Sequence, residues 1–231
     1  MDEGFWAGDK AAEGVIKGMI TEDQILVEPK GKDAFAVKNH IRLIVASNND
    51  WVVPAGLEER RFLVLDVSDK HMQDRPYFDE IFAQMNNGGR EAMLYDLLHH
   101  DFSGVDLRSI PRTEALMDQI ASSMSPVRKF WYERLNRGTL RESDSEWMKV
   151  IPTEQLYEGY LRFADKIGGR HQLTPTEFGK EIRKLCPRVI KQKMQSGHHY
   201  DNGRKNHYVF PALDECRKAF EQLVNMPVQW S

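Results

Sequence analysis

Apolar positions in the first third of the chain follow helical and extended patterns in turn. They recur at helical spacing in residues 7–19, which predicts a helix. Two short extended segments, 25–28 and 35–37, flank a turn rich in Lys, Gly and Pro and predict a hairpin with a basic tip. Residues 41–46 and 62–67 are largely apolar runs, typical of strands buried on both faces of a parallel sheet. Together these patterns predict an α/β fold for this region.

The rest of the chain is mainly helical by the same criterion. Four helices are predicted, over residues 77–85, 90–100, 112–122 and 126–136. A polar segment, 138–145, is the predicted linker. Beyond it we expect two helices, two strands joined by a basic loop and a closing helix, at residues 152–166, 174–185, 188–194, 206–211 and 213–224. Thr174 and Glu177 predict a capping box on the second of these helices. The order of elements is the outline of a winged helix-turn-helix module.

Composition is typical of a globular chain that works in a reducing compartment. The 231 residues are 41% apolar and 29% charged, enough to bury at least one core. No apolar run approaches the roughly 20 residues of a membrane helix, and no secretory or transit pattern opens the chain, so we expect a cytoplasmic protein with no membrane partner. Cys186 and Cys216 make no disulfide framework, and each is interpreted as a small buried apolar residue.

Charge is divided unevenly along the chain. Residues 1–140 hold 17 Lys and Arg against 23 Asp and Glu, whereas residues 141–231 hold 15 against 12. The basic excess concentrates in residues 170–210, with nine Lys and Arg against three acidic residues. Such a cluster is the electrostatic footprint of a surface that binds phosphates, and a solvated helix face with ordinary Lys and Arg is the alternative.

Motifs of self-contained hydrolases and zinc enzymes are absent from the sequence. The phosphate-binding pattern G-x-x-x-x-G-K-[ST] does not occur, because neither Gly-Lys pair has the upstream glycine. HExxH, paired CxxC and GxSxG are missing as well. Cys186, His198, His199 and His207 could in principle bind zinc, but their spacing matches no usual ligand pattern, and solvated or phosphate-contacting histidines are the preferred interpretation.

Four short motifs follow one another in the first 62 residues. They are the acidic pair in DEGFWAG, the basic EPKGK, the IRLIVASNN segment, and WVVP followed by ERRF. In order and spacing they resemble the second half of a superfamily 3 helicase, and most closely the helicase part of phage and plasmid primase-helicases, which are ring-forming AAA+ ATPases. The resemblance covers about the first 67 residues, and residues 141–231 are more weakly similar to the C-terminal winged-helix region of the same proteins.

The resemblance implies roles for five residues of an ATPase site. Asp2 would hold Mg²⁺ through water, and Glu3 would polarise the attacking water. Asn48 resembles the sensor that hydrogen-bonds the γ-phosphate and water, and Asn49 is an equally placed neighbour, although Asn-Asn-Asp after a strand is also ordinary turn chemistry. Arg60 and Arg61 resemble the arginine finger that one subunit offers to its neighbour's nucleotide, with ion-paired surface arginines as the alternative.

The same resemblance implies that single-stranded or forked DNA is the partner. Lys30 and Lys32 resemble the hairpin that these helicases direct into the central channel to grip a single strand. In the C-terminal module a helix and a wing would present eight cations to DNA, namely Lys180, Arg183, Lys184, Arg188, Lys191, Lys193, Arg204 and Lys205. Docking of another protein is the alternative for such a module.

One departure from the family changes the expected activity. Helicases of this type carry a P-loop before the acidic pair, whereas here Met1 stands where the preceding strand would end. We therefore expect ATP and Mg²⁺ to bind the full-length parent, which would form a hexameric ring, and we expect this chain alone to hydrolyse no ATP. The predicted organisation is a partial AAA+ P-loop NTPase core (1–70), a helical region with linker (71–140) and a winged-helix DNA-binding domain (141–231).

Three hypotheses for function follow. The leading one is part of a phage-type replicative primase-helicase that acts in DNA replication in a bacterial host cell. The second is a non-catalytic, initiator-like DNA-binding protein that keeps a vestigial helicase remnant. The third is a regulator that lends Arg60 or Arg61 in trans to a separate ATPase.

Overall fold

The computed structural model describes residues 10–106, 109–169, 171–195 and 204–230, which form a mixed α/β structure with two small antiparallel sheets. The helices are α1 (Lys10–Thr21), α2 (Arg75–Gln84), α3 (Arg90–His99), α4 (Glu114–Ser123), α5 (Pro126–Arg137), α6 (Thr153–Lys166), α7 (Pro175–Leu185) and α8 (Leu213–Val224). The strands are β1 (Gln24–Val27), β2 (Phe35–Lys38), β3 (Val150–Pro152), β4 (Ile190–Gln195) and β5 (Arg204–Val209). Among the described helices, none is long and apolar enough to cross a membrane.

The predicted N-terminal hairpin is confirmed. Strands β1 and β2 pair antiparallel, with Val27 opposite Phe35 at the end nearest the turn. In the turn the amide of Lys32 donates to the carbonyl of Pro29 at 3.1 Å, and Gly31 takes a φ of +78°, a conformation that favours glycine. Local backbone chemistry therefore explains the turn that carries the basic tip.

The predicted parallel strands at residues 41–46 and 62–67 are wrong. Both segments are irregular apart from an isolated bridge at Ala46. Several of their apolar side chains face solvent, with Ile44 84% and Val67 94% exposed, whereas Phe62 is buried in the core. A strand buried on both faces needs paired neighbours and a covering layer, and none of the described strands lies alongside either segment. The described residues therefore do not form the buried sheet of an AAA+ core.

Helices α2 and α3 form an arm that buries none of its side chains. Asp74 caps α2 by accepting a hydrogen bond from the amide of Tyr77 at 3.2 Å. A π-helical turn, Met85–Gly89, joins the two helices and kinks where Gly88 has a φ of +86°. Several large apolar side chains on the arm are exposed, namely Phe82, Met93, Leu94, Tyr95, Leu97 and Leu98. The predicted helices are confirmed, and apart from the stacking of His71 on Tyr77 at 3.8 Å they have no extensive contact with the other described helices and strands.

The core lies in the C-terminal half and is rich in aromatic residues. The rings of Tyr160 and Phe178 stack with centroids 4.9 Å apart, and Phe130 meets Tyr160 edge-on at 6.0 Å. Trp131 stacks on Phe210 at 5.1 Å. All five side chains are buried, because α5 packs against α6, α7 and α8. The Trp131 contact adds Phe210, the residue directly after β5. Phe130 and Trp131 on α5 thus lie at the centre of the core.

The C-terminal elements follow the predicted order, with one addition. Strand β3, which the apolar pattern did not reveal because it is only three residues long, pairs with β5, and β5 pairs with β4. The polar segment after α5 does not separate this packing from what precedes it. Leu140 within it is buried, and Arg217 of α8 donates to the carbonyl of Leu135 at the end of α5 at 2.9 Å. The core therefore extends across the predicted linker.

Helix α4 joins the N-terminal segments to this core. The buried Gln119 side chain accepts hydrogen bonds from the amides of Val52 and Val53, at 2.7 and 3.2 Å. Its amide group donates to the carbonyl of Asp50 at 2.7 Å. One side chain thus satisfies three backbone groups of a segment that has no regular secondary structure of its own.

Candidate nucleic-acid interface

Helix α7 begins with the predicted capping box. The Thr174 hydroxyl accepts from the amide of Glu177 at 3.4 Å, and the Glu177 carboxylate accepts from the Thr174 amide and hydroxyl at 2.9 and 2.8 Å. These bonds hold the pKa of Glu177 below its ordinary value, since they favour the charged carboxylate. Helix α7 therefore has a well-defined start, which sets the direction of the side chains beyond it.

The two faces of α7 have different chemistry. Its apolar face is buried in the core and comprises Phe178, Ile182 and Leu185. The opposite face is exposed and basic, with Lys180, Arg183 and Lys184 at the spacing that places side chains side by side on a helix. An amphipathic helix of this kind presents cations to solvent while the core fixes its position.

The β4–β5 hairpin is held against α7 at a close contact. The Tyr208 hydroxyl lies 2.9 Å from the point that a Cβ on Gly179 would occupy, so only glycine permits this approach. Lys191 lies directly opposite Tyr208 in the ladder, and Lys193 and Arg204 share that face because side chains alternate along a strand. The three cations of the hairpin therefore lie on the side of the sheet that faces α7.

The pKa of Tyr208 is affected by the closeness of α7 to the hairpin. Burial raises the pKa of Tyr208, and the Arg183 guanidinium opposes that rise. Arg183 on α7 is thus electrostatically close to the hairpin. We define the basic surface as the exposed cations of α7 and of this face of the hairpin, namely Lys180, Arg183, Lys184, Lys191, Lys193 and Arg204.

Most cations of the basic surface form no ion pair with the described residues. Lys184 pairs with Glu181 on its own helix. Five cations make no ion pair within 4 Å to any described residue, namely Lys180, Arg183, Lys191, Lys193 and Arg204. Their charge is therefore available to a mobile anion.

Two of the eight predicted DNA contacts lie away from that surface. Arg188, in the turn after α7, is exposed but pairs with Glu215 of α8 at 2.8 Å. Lys205 alternates with Arg204 and so lies on the opposite face of the hairpin. The structure thus brings together six of the eight residues.

The predicted ATPase residues are not assembled into a site by the described part of the chain. Asp2 and Glu3, with the Mg²⁺ role of Asp2, lie outside the described residues. Lys30 and Lys32 are exposed at the tip of the β1–β2 hairpin. Asn48 is exposed in a turn, which agrees with the turn chemistry named as its alternative.

Arg60 and Arg61 differ in their surroundings. Glu59, only 2% exposed, accepts hydrogen bonds from the amides of Arg60 and Arg61 at 2.9 and 2.7 Å. Its carboxylate also lies 3.6 Å from the Arg61 guanidinium, whereas the Arg60 side chain is exposed. Sequence reasoning did not single out Glu59, and an acid directly before two arginines was the available signal.

The described residues contain no group of three or more His, Cys, Asp and Glu side chains that could hold a metal ion. Of the four residues considered for zinc, His198 and His199 lie outside the described residues. Cys186 lies beside Cys216, and His207 Nδ1 donates a hydrogen bond to the carbonyl of Lys205 at 3.0 Å. The thiol and the one described histidine of that set are thus engaged with different partners.

Comparison with known proteins gives one match. The model of a family of unknown function, DUF5906, matches residues 1–61. This segment contains the motifs quoted above, including Arg60 and Arg61, and ends before the arm and the basic surface. No curated protein and no solved structure matches the chain.

Proposed function

We propose that this chain binds DNA through the basic surface, as the DNA-binding part of a replicative primase-helicase of the phage type. The observation that carries the proposal is the set of five exposed cations, held on adjoining faces of α7 and the β4–β5 hairpin, that form no ion pair with any described residue. Cations of this kind gain most from phosphate contacts, because they give up no protein partner and release condensed counterions from the nucleic acid.

The order of elements supports the same proposal. A strand, two helices and a hairpin follow one another as β3, α6, α7, β4 and β5, with β5 in the centre of a three-stranded sheet. This is the order of a winged helix-turn-helix, in which α7 would take the place of the recognition helix and the hairpin that of the wing. Both elements are then cationic on one side, as phosphate contacts from helix and wing require.

The helicase half of the proposal rests on the N-terminal segments. We propose that Arg60 rather than Arg61 acts as the arginine finger. The free Arg60 side chain supports that choice, since Arg61 is drawn towards Glu59.

The salt dependence of binding to short duplex, forked and single-stranded DNA tests the DNA-binding proposal. The variant K191Q/K193Q removes two hairpin cations, and we expect its slope of log affinity against log salt to be shallower by about 2 on duplex DNA. The matched control K70Q/R75Q removes the same charge near the start of the arm, where both side chains are exposed. We expect the control to retain the full slope.

Equal slopes for the two variants, or no binding of DNA at low salt by the unmodified chain, would overturn the proposal and favour protein docking. A urea unfolding curve for each variant shows that the charge changes left the fold intact, because exposed substitutions away from packed contacts change stability little.

A second function, an initiator-like DNA-binding protein with a vestigial helicase remnant, is favoured by the irregular backbone of residues 41–46 and 62–67. The variant K30Q/K32Q separates the two. The primase-helicase proposal predicts weaker binding of single-stranded DNA, because the β1–β2 hairpin would grip the strand. Unchanged affinity for single strands would favour the second function.

A further inference from the structure

Two buried thiols meet where α7 ends and α8 begins. Cys186 is the residue that closes α7, and Cys216 lies in the first turns of α8, 30 positions further along the chain. Their sulfur atoms are 3.8 Å apart, and the exposed fraction of each residue is 1% or less. Both thiols are free in this structure. The predicted burial of each cysteine is confirmed, but their contact is a tertiary feature that composition did not reveal.

The two thiols have different surroundings. A cavity of about 300 Å³ opens beside them, and its lining includes Cys186, Arg188, Glu215 and Lys218. The hydrogen bond from Cys216 lowers the pKa of the Cys186 thiol below its ordinary value. The same contact and burial raise the pKa of Cys216. The thiol that lines the cavity is therefore the more acidic one, and its neighbour stays protonated at the distance of a sulfur–sulfur contact.

We propose that Cys186 and Cys216 form a reversible disulfide when the chain meets hydrogen peroxide. The Cys186 sulfur, as thiolate, attacks one oxygen of the peroxide, the O–O bond breaks, and a sulfenic acid and hydroxide form. The hydroxide takes up the proton that Cys186 released. The Cys216 sulfur then attacks the sulfenic sulfur, the S–S bond forms and the S–O bond breaks. The leaving oxygen takes the Cys216 proton, so that two thiols and one peroxide yield one disulfide and two waters.

The bond would tie the end of α7 to α8. Closure of the S–S bond to about 2.05 Å requires the sulfurs to approach by rotation of the side chains and a small shift of the helix ends. The bridge would enclose the whole β4–β5 hairpin in a closed loop of the chain. Because a cross-link restricts the unfolded chain, we expect the oxidised protein to melt at a higher temperature, by roughly 10 °C.

Treatment of the full chain with hydrogen peroxide tests the proposal. After alkylation of the remaining thiols and digestion, mass spectrometry is expected to find a Cys186–Cys216 linked peptide in most molecules, lost again on addition of dithiothreitol. The melting temperature follows the same sample through oxidation and reduction. Free thiols at both positions, after peroxide that fully oxidises glutathione in the same tube, would overturn the proposal.

Single variants assign the two roles. In C216S the sulfenic acid at Cys186 has no partner thiol, and we expect dimedone to trap it. In C186S the remaining thiol is expected to react with peroxide about tenfold more slowly, because it lacks the acidic neighbour and the cavity. If C216S does not fold, C216A takes its place. Equal reactivity of the two variants would contradict the assignment of Cys186 as the attacking thiol.

Discussion

Helices α3 and α7 are similar in length and both were predicted from apolar periodicity, yet they differ in what they bury. Helix α7 places Phe178, Ile182 and Leu185 in the core, whereas none of the side chains of α3 is buried and Leu98 is 73% exposed. The contrast shows that periodicity specifies a helix, while burial requires a partner surface. It also divides the described chain into N-terminal elements with little packing and a tightly packed C-terminal half.

The largest expected difference is in the cost of removing an apolar side chain. We expect Phe178→Ala to destabilise the protein by about 3–5 kcal/mol, because it leaves a cavity among Tyr157, Tyr160 and Phe130. Leu98→Ala on the arm is expected to change the free energy of unfolding by less than about 0.5 kcal/mol. Urea unfolding of both variants measures the difference. Comparable losses would mean that the arm is buried against a partner in solution.

We expect the contact between α7 and the hairpin to leave no room for even a single methyl group at Gly179. Gly179→Ala should cost about 1–3 kcal/mol, because its Cβ would lie 2.9 Å from the Tyr208 hydroxyl, at the end of a stiff and buried ring. Gly14→Ala on α1, where a Cβ meets no atom within 4 Å, is the control and should stabilise its helix by up to about 1 kcal/mol.

Removal of the hydroxyl checks the cause of that effect. In the background Tyr208→Phe the cost of Gly179→Ala is expected to fall, because the crowded atom is gone. Thermal melts of the two single variants and the double variant give the coupling between the positions. An unchanged cost in the phenylalanine background would place the strain elsewhere in α7.

The junction between the two parts of the chain can be weakened at one side chain. Gln119→Leu is expected to cost about 1–3 kcal/mol, because it leaves the amides of Val52 and Val53 and the carbonyl of Asp50 without their partner. Hydrogen exchange at the two amides should accelerate while the amides of α7 stay protected. Gln222→Leu, at an exposed position on α8, is the control. Slow exchange at Val52 in the Gln119 variant would contradict this account of the junction.

The smallest expected effect concerns the start of α7. The Thr174 bonds keep the pKa of Glu177 low in the folded state, so its stabilising contribution is full above the carboxyl's ordinary pKa and disappears as the pH falls through the lowered one. Glu177→Gln should therefore lower the melting temperature slightly at pH 7 and leave it unchanged in strong acid. Glu154→Gln, in the first turn of α6, has no such partner and serves as the control. A pH-independent difference would mean that the charge of Glu177 plays no part.

Local signals predicted the helices well, and they did so for identifiable reasons. The capping residues Thr174 and Glu177, the glycine that ends α5 and the regular apolar spacing of α8 act within a few residues of one another. The same kind of reasoning failed at residues 41–46 and 62–67. Their composition indicates a buried strand, but a strand exists only through hydrogen bonds to a neighbour, and periodicity carries no information about that neighbour.

The features of the candidate site also fall into two groups, those visible in the sequence and those that depend on the tertiary structure. The basic character of residues 170–210 was visible in the sequence, but not that Lys205 lies on the other face of the hairpin from Arg204, because strand register decides it. The close contact of Gly179 with Tyr208 and the pairing of Cys186 with Cys216 join positions about 30 residues apart.

By itself the sequence determined the helices, the turns and the concentration of positive charge, since each depends on short-range propensity or on composition. The tertiary structure decided which apolar faces are buried, which cations share a surface and which thiols touch. Those outcomes depend on packing and strand pairing between segments that are distant in the sequence. A local pattern carries no information about which distant segment will become the partner.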